Sequence, residues 1–294
     1  MTDKAKVYLV ATTDRSEGVK RCMNFIGPLS YEGKRLLVKP NFNTADICPG
    51  STHNDTLEQL LVGLQSFSPA SLAIGERSGP AVATDVFREK KIPELCEKLG
   101  VELINFEELS SDEWYTFQQE GLHWPGGLQI PKVVADADAI IATCNLKTHG
   151  FGGVFSMSLK LGVGLVPKDF KKLHHSPDMR KMIAEINLAY KPDFVLMDGI
   201  DVFTDGGPME GTRKKGNVML ISKDRIAIDA VGLTILKHLG SNQNIMETPI
   251  FLQEQVARAV ELGLGVTNPD EIEIVTDDAE SASYASHLRE ILCK

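Results

Sequence analysis

"KRLLVKPNFNTADICPGSTHNDTLEQLLVGLQSFSPASLAIG", residues 34–75, decides the reading of the fold. Lys34–Lys39 is a short apolar run of strand type. His53–Phe67 carries Leu57, Leu60, Leu61 and Leu64 at i, i+3, i+4 and i+7, the spacing of a helix that buries one face. Leu72–Gly75 is a second short apolar run. Strand, helix and strand in so short a span form the unit that builds a parallel sheet covered by helices.

The same rhythm extends outward. Val7–Ala11 reads as a strand and Arg15–Phe25 as a helix. Ala83–Arg88 and Ile92–Leu99 are helical, and Val101–Asn105 is strand-like. Residues 106–131, ending in EGLHWPGGLQIP, break the pattern with Pro and Gly and read as an antiparallel excursion. Strands are then expected at Asp138–Thr143, Asp193–Met197, Asn217–Ser222 and Glu271–Val275. Helices are expected at Asp178–Tyr190, Arg225–Leu239 with Gly240 behind it, Thr248–Leu262 with Pro249 at its first position, and Tyr284–Leu292. The fold class is α/β: mostly parallel sheets flanked by helices, in two lobes with a cleft between them. The N-terminal lobe spans 1–130 and the C-terminal lobe 131–294, with no flexible linker.

Composition limits the function. The chain has 294 residues, 43% hydrophobic and 24% charged, with a net charge of −9. An acidic balance argues against nucleic-acid binding, which needs a basic footprint. The apolar run near the N-terminus is too short for a signal segment, and no window reaches membrane-spanning length. A cytoplasmic protein is expected, without membrane attachment. Five scattered cysteines and no CxxC disfavour a disulfide framework, a zinc knuckle and a cysteine-ligated iron–sulfur cluster. No P-loop, clean GxGxxG, GxSxG or HExxH motif occurs.

Ligands in open α/β sheets bind beyond the carboxyl ends of the strands, so the residues following each strand are the candidates. Lys39, Asn41 and the helix start at Ser51, Thr52 and His53 offer cationic, amide and backbone N–H groups to an anion; Ser51 or Thr52 also serves simply as a helix cap. Glu76 and Ser78 follow the next strand, where Glu76 is either a ligand or base, or a surface carboxylate paired with Arg77. The run NLKTHGFGGVFSMSLKLG, residues 145–162, delivers Lys147, His149, Gly152, Gly153 and Lys160. Lys147 and His149 share a face by the period of two. A lysine held near a second cation has a lowered pKa and can take a proton. His174 and His175, with His149, are candidate metal ligands. Asp198 ends a strand ahead of a Gly-Pro-Gly loop containing Gly207, and is a candidate catalytic or orienting carboxylate.

VKPNFN, the THND helix start, GERSG, NLKTHGFGGVFSMSLKLGVG, the His pair, MDGIDVFTDGGPMEG and GNVMLISKDRIAIDAVG occur in this order. Together they resemble domain-of-unknown-function family 362, from about residue 36 to 240. The resemblance implies an α/β protein without an established common activity. Many members carry an appended ferredoxin-like module with two four-cysteine clusters; this sequence lacks those cysteines, which leaves a separate ferredoxin-like redox partner as the expectation. The order His149, Gly152-Gly153, Lys160 and His174 or His175 is also similar to the lactate racemase apoprotein family, which implies a metallocofactor at those residues. The resulting expectation is a small-molecule enzyme whose Lys/His-lined, glycine-rich cleft binds an anionic substrate or cofactor, or a divalent metal, for redox or isomerase-type proton-transfer chemistry. The alternative is a non-catalytic binder or carrier of an anionic metabolite, metal or metallocofactor.

Overall fold

A computed structural model describes residues 3–27, 29–168 and 176–293. The strands are β1 (Ala5–Ala11), β2 (Arg35–Lys39), β3 (Ser71–Glu76), β4 (Glu102–Asn105), β5 (Trp114–Phe117), β6 (Leu128–Pro131), β7 (Ala139–His149), β8 (Val154–Phe155), β9 (Phe194–Gly206), β10 (Gly211–Lys215), β11 (Val218–Ser222) and β12 (Ile272–Val275). The helices are α1 (Arg15–Ile26), α2 (Asn54–Gln65), α3 (Ala83–Glu89), α4 (Ile92–Leu99), α5 (Lys132–Asp136), α6 (Ser158–Leu161), α7 (Met179–Ile186), α8 (Arg225–Leu239), α9 (Gln243–Glu247), α10 (Glu254–Glu261) and α11 (Ala279–Leu292).

One sheet runs through both halves of the chain in the order β12-β1-β11-β9-β7-β2-β3-β4, with β10 beside β9 and β8 beside β7. Along that path only β11 runs against the others. The strands are apolar on both faces because both faces are covered, as mostly parallel sheets require. One face packs on α1 to α4 through Val19, Leu57, Leu60, Leu61, Val86 and Ile92. The other packs on α8, α10 and α11 through Val231, Ile235, Val256, Ala285 and Leu288. A third apolar cluster, with Phe106, Leu128, Ile130, Ile140 and Tyr190, seats the antiparallel β5–β6 pair.

Strands from both sides of the expected division at residue 130, which falls in β6, share this one sheet. β1, from the start of the chain, lies among strands of the second half, between β11 and β12. The helix expected at Thr248–Leu262 is split. Ile250–Leu252 forms a 3₁₀ turn after Pro249, and α10 begins only at Glu254. Gly240, with φ 74°, ends α8 as expected, and Asp224 caps its start by accepting from the Ala227 N–H at 2.8 Å.

The strand that matters most exceeds its expected length. β7 continues past Thr143 to His149 and is buried throughout. Its second half reads Thr143-Cys144-Asn145-Leu146-Lys147-Thr148-His149. Cys144 and Leu146 stay in the core with α8, while Asn145, Lys147 and His149 take the alternate positions. An apolar strand thus acquires one polar face at its carboxyl end.

Candidate functional site

The carboxyl ends of β2, β3 and β7 converge on a cavity of about 500 Å³, lined among others by Lys39, Glu76, Arg77, Lys147, His149 and Lys160. α6 and the 3₁₀ turn Gly162–Leu165 close it opposite the strands, and Met157, Leu161 and Val163 give it apolar walls.

Lys39 and Glu76 form a buried pair at 2.7 Å, each about fully enclosed. The Lys39 Nζ also donates to the Pro40 carbonyl at 2.8 Å. Glu76 accepts from the Phe42 N–H at 2.9 Å and the Arg77 N–H at 2.8 Å. Glu76 is therefore a buried carboxylate held by Lys39, rather than a surface acid. Buried pairs survive only with such added hydrogen bonds. Gly164 lies directly over the pair: a Cβ there would sit 2.4 Å from Glu76 Oε1 and 2.7 Å from Lys39 Nζ. Gly164→Ala is expected to cost about 1–3 kcal/mol by overpacking, which urea unfolding checks.

Lys147 is fully buried, and its Nζ donates to Gly50 O at 2.6 Å and Pro208 O at 3.1 Å. Burial, with the nearby Lys160 ammonium adding repulsion, lowers its pKa to about 7. Lys160 is half-buried, and burial with Arg77 as neighbour lowers it to about 8. His149 is buried, and its Nδ1 accepts from the Gly153 N–H at 3.3 Å. Arg77 donates to Ser78 O at 2.8 Å and Val163 O at 2.5 Å.

A second layer fixes Lys160. Asp229, on α8, accepts from the Ser158 N–H at 2.8 Å and the Leu159 N–H at 2.9 Å, so it holds the N-terminus of α6. Asn187 Nδ2 donates to Leu159 O at 2.8 Å, and Arg225 holds Asn187 by donating to its Oδ1 at 2.8 Å. Lys160 lies within the single turn of this short helix, Ser158–Leu161.

Several expected site residues lie elsewhere. Asp198 does not line the cavity. It accepts from Arg15 Nε and Thr56 Oγ1, each at 2.8 Å, and belongs to a buried network with Arg15 and Asp201. Asn41 lines the cavity, and its Nδ2 donates to Asn145 Oδ1 at 3.1 Å. Ser51 and Thr52 are spent on Asn41: Ser51 Oγ donates to Asn41 O at 3.0 Å, and Thr52 Oγ1 accepts from the Asn41 N–H at 2.9 Å. His53 caps α2 by accepting from the Asp55 N–H at 3.1 Å. These three brace the loop instead of facing the cavity.

Ser78 is buried beside the cavity without lining it. Gly152 and Gly153 lie in the turn after β7, where Gly152 O accepts from Arg180 at 2.9 Å. Gly207 borders a neighbouring open depression that shares Phe151 and Met209 with the cavity. Its φ of 81° and a would-be Cβ 2.2 Å from Thr148 O admit only glycine there.

His174 and His175 fall outside the described residues, and so does any metal set that includes them. Among the described residues, no three His, Cys, Asp or Glu side chains come together to hold a metal ion. The five cysteines are free thiols, and Cys144 lines the cavity as a buried neutral group, its pKa raised well up by burial. Lys168, at the cavity rim, and Asp229, behind α6, are not among the residues expected from the sequence. The signal for Asp229 was present: it is a lone carboxylate inside the apolar helix RIAIDAVGLTIL.

The fold and site define an α/β protein with a lysine-rich cavity at the carboxyl ends of its parallel strands. Residues 36–234 match the family described as "Domain of unknown function (DUF362)", and the chain belongs to that family. It is 26% identical over 222 residues to a thylakoid-associated protein of Synechocystis sp. (strain ATCC 27184 / PCC 6803 / Kazusa), a match that covers 73% of this chain and 65% of that relative. Among solved structures, it is similar to the lactate racemase apoprotein from Thermoanaerobacterium thermosaccharolyticum, with 14% identity and a TM-score of 0.48 over 98% of this chain and 86% of that one. A Thermotoga maritima protein gives 14% identity and a TM-score of 0.43 over 71% and 55%. No helix of the described residues is long and apolar enough to cross a membrane.

Proposed function

We propose that the protein is an enzyme acting on a small organic anion by proton transfer, with Lys147 as the base and Lys160 as the cation that holds the anionic group. The observation that carries this reading is that Lys147 and Lys160 line one cavity, where burial lowers them to about 7 and about 8. Catalytic bases are effective when their pKa lies near the working pH. As a neutral amine, Lys147 spends its two hydrogens on Gly50 O and Pro208 O. Its lone pair is left to take a proton from a carbon next to a carboxylate or carbonyl. The electron pair released moves onto the substrate oxygen, where the Lys160 ammonium offsets the charge. Return of the proton from Lys147 completes an exchange; delivery of one from His149, which also lines the cavity, completes an isomerisation, after which solvent takes the proton from Lys147 and replaces that of His149. A panel of small organic anions in D₂O tests this by mass spectrometry. Deuterium incorporated into one class, and lost in Lys147→Met, is the expected result. Binding without exchange supports the carrier reading instead.

The pH dependence follows from the same lysines. A bound anion favours their charged forms, so binding takes up protons near neutrality. Above about 8, protonating the lysines costs binding energy. Anion affinity is therefore expected to fall, by up to about tenfold per pH unit for each lysine titrating. Calorimetry between pH 7 and 9, in buffers of different ionisation enthalpy, measures both the fall and the proton uptake; flat or rising affinity contradicts it.

A further inference from the structure

We infer that the ligand is a carboxylate with an apolar tail, which leaves the cavity between Phe151 and Met209 and lies in the neighbouring depression with an uncharged far end. This rests on the reading of Lys147 and Lys160 as the anion site and names the class of substrate that site takes.

Exposed apolar side chains are ordinarily scattered singly, and a group of them marks a surface that something covers. Six large apolar side chains are exposed among the described residues, and three of them gather at one place. Ile47, Phe151 and Val82, 74%, 65% and 53% exposed, all border the depression. It opens directly from the cavity, because Phe151 and Met209 line both. The passage begins at the anion site. Lys147 Nζ donates to Pro208 O at 3.1 Å, and Met209 is the next residue. The His149 ring meets Phe151 edge to face, with 6.0 Å between centroids. Beyond them the depression is bordered by Gly150, Gly206 and Gly207, which carry no side chains to obstruct a tail. Peptide groups there are already spent: the Gly150 N–H donates to Gly207 O at 3.0 Å, and the Gly207 N–H to Glu210 O at 2.6 Å. An apolar chain covers such backbone without stranding those groups.

Charge sets the direction of the ligand. The carboxylate belongs at Lys147 and Lys160. The depression holds four carboxylates, Asp46, Asp85, Glu89 and Glu210, and no lysine or arginine among its described lining residues. Cations next to it in the chain are engaged. Arg88 pairs with Asp85 at 2.7 Å, Lys90 lies over the Phe42 ring at 5.3 Å, and Arg213, on β10, donates to the Ile47 and Cys48 carbonyls. A second anionic group would lose water beside carboxylates and gain no cation, so the far end of the tail is uncharged. The remaining charged groups of the cavity do not lie on this path. The Lys39–Glu76 pair is closed on itself beneath Gly164, and Arg77 donates to Ser78 O and Val163 O; none of the three borders the depression.

Calorimetric titration at pH 7 with butanoate, hexanoate and octanoate tests this, with octanedioate and octan-1-ol beside them. Affinity is expected to rise by about two- to fourfold for each methylene added, the value of a partly to fully buried CH₂. Octanedioate is expected to bind at least about tenfold more weakly than octanoate, because its second carboxylate has to leave water. Octan-1-ol is expected to be weaker by a similar factor of about ten, for want of charge-assisted contacts with the lysines. Ile47→Ser and Val82→Ser, both at exposed positions, are expected to lower the octanoate-to-butanoate ratio by at least about threefold. Leu252→Ser, also exposed but outside the depression, is expected to leave it unchanged. Equal affinity for the three acids overturns the tail and leaves the single-anion reading standing. A ratio unchanged in both Ile47→Ser and Val82→Ser, or lowered as much in Leu252→Ser, overturns the placement in the depression. Octanedioate as tight as octanoate overturns the uncharged far end, and octan-1-ol as tight as octanoate overturns the joining of head and tail in one site. Binding of none of the acids, nor of inorganic phosphate, overturns the anion site itself.

Discussion

Lys147→Met is expected to lower the proposed proton exchange by roughly 10²- to 10⁴-fold, the usual cost of losing a general base, and to leave the protein folded. The side chain is fully enclosed, so methionine fills nearly the same space. Two opposing effects act on stability. The carbonyls of Gly50 and Pro208 lose a donor, but the fold no longer has to bury an amine that prefers water. Thermal unfolding and the exchange rate, measured on the same preparation, separate the two. Lys147→Arg is not expected to restore activity, because a guanidinium stays charged and has no lone pair to offer. The wild-type pH profile should be bell-shaped with its maximum between about 7 and about 8, since the reaction needs Lys147 neutral and Lys160 charged. The two lysines influence each other, so these limits describe the pair. A profile that rises steadily beyond pH 9 would remove Lys160 from the scheme.

Asp229→Ala is expected to destabilise the fold by about 3–5 kcal/mol, because it strands two buried N–H groups and leaves a void, each unmet donor costing about 1–3 kcal/mol. The carboxylate is fully buried and accepts from Ser158 at 2.8 Å and Leu159 at 2.9 Å. Against typical stabilities of about 5–15 kcal/mol, that is a large share, and urea unfolding will show it. Asp229→Asn keeps one acceptor and should lose about half as much.

The pH dependence has a definite sign. Burial lifts Asp229 to about 7 from 3.8, so between those values the native state keeps a proton that the unfolded chain has released. Its contribution to stability is full at low pH and falls as pH rises through that window. Asp229→Asn should flatten that fall. An alanine variant as stable as wild type would mean that α6 is held by other contacts.

The strand–helix–strand unit at residues 34–75 was legible because its two periodicities differ so clearly. What the sequence concealed was where strands end. The Ala139–Ala142 run looks complete at Thr143, yet β7 reaches His149 by alternating polar and apolar residues. A short alternating stretch full of lysine, histidine and glycine reads as a loop, because its polar face is paid for by tertiary contacts that local propensity does not contain. Lys39, Lys147, His149 and Lys160 were legible as polar residues at or after the ends of expected strands. Asp198 looks available as a carboxylate at an expected strand end, but Arg15, far away in sequence, engages it at 2.8 Å. The division of Ser51, Thr52 and His53 between bracing and capping likewise depends on the path of the Asn41 loop. No residue spacing encodes that path.

The most direct test of the central claim is the titration of the lysine amines by NMR on protein with ¹³Cε-labelled lysine, with Lys147→Met and Lys160→Met to assign the signals. The expected result is two amines titrating near 7 and near 8, both moving upward when a small carboxylate such as malonate is added. If both titrate above pH 10 in the folded protein, and neither responds to the anion, the cavity does not work as an anion-binding proton-transfer site.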